Sequence, residues 1–90
     1  MSINELSELW RAVFRTETPN QQQWIVWTNL HDADIVREGL LQLAVKHRKA
    51  GGTMTQDHMI RFASAVMNRL RIERRSALAK LQDTHKENKN

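Results

Sequence analysis

Cysteine is absent from this 90-residue chain. That absence removes a disulfide framework, a thiolate zinc site and a thiol nucleophile. It also fits a cytoplasmic protein. Proline occurs once and glycine three times. All but Gly39 fall at or near points where a helix would start or stop. No apolar run approaches the ~20 residues of a membrane helix. The opening stretch MSINELSELW carries acids and no apolar block, so no secretory signal is expected there. What remains is one small domain. Its hydrophobic content of 40% suffices for a small core and is too high for a wholly disordered chain.

Catalytic signatures are missing as well. The glycine pair in AGGT (50–53) lacks the lysine and the preceding strand of a phosphate loop. Ser7, Ser64 and Ser76 have no evident base beside them. His31, His47, His58 and His85 show none of the spacings that place two imidazoles on one metal. The expectation is a protein that is not an enzyme and uses no metal and no cofactor.

Helical patterns fill most of the chain. Ser2 with Glu5 forms a capping-box signature. Ile3, Leu6, Leu9, Trp10, Val13 and Phe14 then recur at spacings of three and four, predicting a helix to Arg15 or Thr16 with one apolar stripe. Thr18 as cap, Pro19 in the first turn and Gln21 open a second helix. Its residues Trp24, Ile25, Val26, Trp27 and Leu30 point nearly all round, which predicts a central, buried element. Asp32 caps a third helix whose last turn holds Lys46, Arg48 and Lys49, and Gly51–Gly52 stop it. Gly39 lies in its interior, at a cost of about 1 kcal/mol against alanine, and permits a close helix crossing. A fourth helix starts at Thr53 or Thr55 and runs to about Leu81. At ~1.5 Å per residue it is too long for so small a globule and should overhang it. The fold expected is all-α, a compact four-helix domain with a long basic C-terminal helix. Residues 1–82 form the domain and 83–90 a frayed polar tail.

Charge is unevenly spread. Residues 1–45 hold three arginines against six acids, a net of −3, whereas residues 46–90 hold eleven Lys/Arg against four acids, a net of +7. A basic half attracts polyanions. On the fourth helix, Met59, Phe62, Ala63, Val66, Met67 and Leu70 form the core stripe, and Ala77 and Leu81 fall back inside it. Arg61, Ser64, Asn68, Arg71 and Arg75 follow one another at spacings of three and four on the opposite side, with Arg69 and Arg74 flanking. Arginine forks match phosphates and guanine edges, asparagine matches adenine, and serine bonds phosphate. Lys46, Arg48, Lys49 and Lys80 would add phosphate contacts.

Solvated helix faces commonly carry such residues without any ligand. The charge asymmetry is what favours the functional reading, a small nucleic-acid-binding module whose partner is DNA or RNA. In style rather than in motif, the chain resembles an accessory protein of nucleic-acid metabolism such as a phage or plasmid carries, and that resemblance transfers no residues. The alternative is an adaptor or inhibitor that docks its basic helix and an exposed tryptophan on an acidic partner protein. No membrane partner is expected, and the chain is expected to be a monomer or a weak homodimer through Ala77, Leu78 and Leu81.

Overall fold

A computed structural model describes residues 2–88, with side chains described for residues 2–82. Four helices follow in order: α1 (Ile3–Phe14), α2 (Gln21–Leu30), α3 (Ala33–Lys49) and α4 (Gln56–Asn88). There is no strand among the described residues, and no helix is long and apolar enough to cross a membrane. The all-α, four-helix domain is therefore as expected. The 83–90 tail lies outside the described side chains, while the α4 backbone is helical through Asn88.

Local chemistry sets most of the boundaries. Ser2 Oγ accepts from the Glu5 amide at 3.2 Å and opens α1. Arg15 closes it in the left-handed region, φ 54°, with its amide donating to the Arg11 carbonyl. The cap of α2 is Asn20, whose Oδ1 accepts from the Gln23 amide at 2.9 Å, and not Thr18 as the sequence predicts. Thr18 Oγ1 is engaged elsewhere, accepting from the Trp24 indole N–H at 2.8 Å. A buried indole requires a partner, and that requirement outweighs a cap that asparagine fills equally well. The end of α3 is a Schellman turn: the Gly52 amide donates to the His47 carbonyl and the Gly51 amide to the Arg48 carbonyl. Both glycines have positive φ, 69° and 73°, which only glycine adopts without strain. Thr55 Oγ1 then accepts from the His58 amide, placing the start of α4 at the second of the two predicted threonines.

The core is built on three indoles. Trp10, Trp24 and Trp27 are each 0–1% exposed. Trp24 stands edge-to-face against both Trp10, at 6.0 Å, and Trp27, at 5.2 Å, the arrangement ring quadrupoles favour. Each indole N–H has an acceptor: Glu17 carbonyl for Trp10, Thr18 for Trp24, and Ser64 for Trp27. The apolar stripe of α1 is narrower than predicted. Leu6, Trp10 and Phe14 are buried at i, i+4, i+8, while Leu9 and Val13 stay exposed. In α2 only the two tryptophans are buried; Ile25, Val26 and Leu30 are exposed, because no element packs on that side.

The principal packing is α3 against α4, antiparallel through the Gly51–Gly52 turn. Gly39 is buried against Met67, and a Cβ at Gly39 would lie 2.6 Å from Met67 Cγ. The close crossing expected there is present, with Met67 against the glycine. The molecule measures 56 × 27 × 17 Å with a radius of gyration of 16.1 Å. A packed globule of this length has a radius near ~12 Å. The excess is α4: from Glu73 to Gln82 every residue is exposed, Ala77 and Leu81 included although their spacing puts them in the core stripe, because the helix runs on past the bundle.

Candidate functional site

The basic residues of α4 do not form one outward ridge. Arg74 lies four residues after Leu70, on the meridian that faces α3. There it meets the start of that helix. Its Nη1 donates to Asp32 Oδ2 at 3.0 Å and Asp34 Oδ1 at 3.2 Å, and its Nη2 donates to Asp34 Oδ2 at 2.6 Å. The guanidinium hydrogen bond holds the Asp34 carboxyl below its ordinary range. Asp32 occupies the cap position of α3 as predicted, but its carboxylate makes no capping hydrogen bond because Arg74 takes it. Arg74 is thus a clamp between α3 and α4, a correction to its expected place flanking a ligand face.

Two further guanidiniums have neighbours. Arg61 Nε lies 3.1 Å from Asp57 Oδ2, one helical turn away. Arg69 Nε lies 3.8 Å from Glu73 Oε1, and its Nη2 donates to Gln42 Oε1 of α3 at 3.2 Å. Both pairs are solvent-exposed and therefore weak. Ser64 and Arg71 do not point outward as predicted; both are half-buried. Ser64 Oγ accepts the Trp27 indole N–H at 2.9 Å, tying α2 to α4. Arg71 carries a buried Nε without a hydrogen-bond partner, close enough to His31 to influence its titration. Asn68 and Arg75 are exposed on the outer side, and Lys80 is exposed on the overhang. The buried arc of α4 is wider than the periodicity predicts, because Trp27 of α2 reaches Ser64 and the buried His31 just beyond α2 lies near Arg71.

A different surface gathers cations. Along the α3–α4 seam is a shallow hollow of about 340 Å³ lined by Gln42, Val45, Lys46, Lys49 and Phe62. No acid is among those lining residues. Lys46 and Lys49 stand on one side of α3 at i, i+3, both exposed and without an ion pair among the described residues. Arg48, from the same turn, projects elsewhere and is not part of the lining. Phe62 is half-buried: it packs against the core and also lines the hollow. Arg69 joins the seam through its bond to Gln42. Of the eleven residues singled out from the sequence, the seam unites Lys46, Lys49 and Arg69. It adds Gln42, Val45 and Phe62, which sequence reasoning missed. Phe62 has the period of a core residue, and only the register of α3 against α4 leaves it half-buried beside the hollow.

The tryptophan anchor of the adaptor reading is overturned, since all three indoles are buried. Exposed apolar surface lies elsewhere. A narrow groove between α1 and α3 is lined by Leu9, Val13, Leu40, Leu41 and Ala44, with Arg37 at its border. Comparison with known protein families, curated proteins and solved structures found no match.

Proposed function

We propose that the chain is a non-enzymatic nucleic-acid-binding module that grips its ligand with the α3–α4 seam. The observation that carries this reading is the hollow around Lys46, Lys49 and Phe62, where, among the described residues, two ammonium groups without an ion pair adjoin an aromatic ring and no carboxylate is in the lining. Cations provide the sequence-independent attraction to phosphate. Gln42, fixed between Arg69 and Glu38, provides a polar edge. The lopsided charge of the chain supports the same reading.

The redrawn surface changes the expected salt dependence. Three contacts, from Lys46, Lys49 and Arg69, give a slope of log affinity on log salt of roughly −2 for a single strand. Substituting both Lys46→Glu and Lys49→Glu should weaken oligonucleotide binding by about tenfold or more in fluorescence anisotropy at low salt. Arg61→Glu should change it by no more than about twofold, as expected of an exposed residue off the seam. Equal losses from the two surfaces would return the site to the outer face of α4.

A second reading rests on the apolar groove between α1 and α3. An adaptor could seat there the apolar face of a partner helix, with an acid of that helix against Arg37. A pull-down with and without nuclease separates the two: capture of a protein that survives nuclease and is lost on Leu41→Glu supports the adaptor.

A further inference from the structure

We infer that the nucleic acid taken by the seam is single-stranded and that one unpaired base stacks on the ring of Phe62. This inference rests on the nucleic-acid reading and narrows it to a substrate class. The first argument is shape. Lys46 and Lys49 sit beside a concavity between two helices, apart from Arg75 and Lys80 on the projecting part of α4. A duplex presents convex ridges of phosphate and keeps its bases stacked inside, so it cannot bring a base against an aromatic residue that lines a hollow. A splayed strand can place a base in the hollow while its backbone passes the rim.

The second argument is the chemistry of the lining. Phe62 is held from behind by the core, so its ring needs no further ordering when a base arrives. Val45 supplies an apolar wall from α3. Lys46 and Lys49, one turn apart, border the same hollow and can neutralise the phosphates on either side of the inserted base. The Gln42 amide accepts from Arg69 and donates to Glu38. Its orientation is thereby fixed, with one N–H and one lone pair left for a base edge. The third argument is what a duplex reader would need and lacks. An outward α4 face would use Arg61, Ser64, Asn68, Arg71 and Arg75 in an unbroken run, yet Ser64 holds the Trp27 indole and Arg71 is half-buried, which interrupts the run.

The test is fluorescence anisotropy of the full chain with a labelled 12-nucleotide oligo(dT), and with the same strand in a dT·dA duplex, at low salt. The single strand should bind about tenfold or more tightly than the duplex. Phe62→Leu keeps an apolar side chain against the core and removes the ring; it should weaken single-strand binding by roughly 5- to 100-fold. Phe62→Trp should restore it. Melting curves identify any variant that has lost its fold, and the leucine–tryptophan contrast is read on folded protein. Equal affinity for strand and duplex, or a folded Phe62→Leu that binds the strand like the parent, overturns the inference. If in that case Lys46→Glu with Lys49→Glu still weakens binding by about tenfold or more, the broader reading stands and only the stacked base is lost. If neither oligonucleotide binds at low salt, both readings fall together.

Discussion

At the scale of single residues, the polar groups that matter most are those the core has claimed. His31 is buried just beyond α2, lining a small cavity with Leu6, Thr28, Ala33 and Val36, and its Nδ1 has no hydrogen-bond partner. Burial, and then the charge of Arg71, lower its pKa from the ordinary 6.5, while Asp32 opposes them. The folded chain therefore takes this proton at lower pH than the unfolded chain does. Between the two values the unfolded state binds more protons, so His31 stabilises the fold fully above about 6.5 and loses that contribution as pH falls through the folded value. Urea melts from pH 7.5 to 5 should show stability falling on acidification, and His31→Gln should flatten part of that slope. An unchanged slope would mean that His31 titrates alike in both states. Ser64 illustrates the same point. Its hydroxyl was legible in the sequence as a polar group on helical spacing, but not as the acceptor for an indole 37 residues away.

At the scale of elements, α3 and α4 are joined by two different devices. Near the middle, Gly39 lets the backbone of α3 approach Met67, which is fully buried. At the far end, Arg74 clasps Asp32 and Asp34. Gly39→Ala sets two effects against each other. Alanine improves helix propensity by about 1 kcal/mol. The new Cβ would sit 2.6 Å from Met67 Cγ, an atom near the backbone that cannot swing aside in a filled interior. Overpacking costs about 1–3 kcal/mol, so the net change should be destabilising by up to roughly 2 kcal/mol in chemical denaturation. Combining it with Met67→Ala should cost less than the sum of the two single changes, since the smaller residue relieves the clash. A stabilised Gly39→Ala would show that Met67 has room to move. Capping boxes, turn glycines and the acidic first turn of α3 are local signals, so these boundaries could be read from neighbouring residues. Thr18 and Asn20 could not be ranked, because the choice depends on where the Trp24 indole N–H points.

At the scale of the whole molecule, the bundle stops before α4 does. From Glu73 to Gln82 every side chain is exposed, including Leu78 and Leu81. Ending the chain after Ser76 leaves the core and the Arg74 clasp untouched. The unfolding free energy should then change by no more than about 0.5 kcal/mol, the usual range for surface changes. A larger loss in thermal or urea melts would show that the distal part of α4 packs on something. The overhang was legible as a mismatch between helix length and globule size. The seam was not. It exists because one side of α3 and one side of α4 meet at a particular register, and no periodicity within either helix encodes that register.

The chain by itself determined the number of helices, most of their ends, and the concentration of positive charge in its second half, because each depends on residues close in sequence. The tertiary structure alone decided which cations stay available. Packing turned Arg74 into a clasp, drew Ser64 and Arg71 toward the core, and set Lys46 and Lys49 around the same hollow as the half-buried Phe62. A side chain's partners depend on what the fold places within a few ångströms of it, and that is a property of three dimensions.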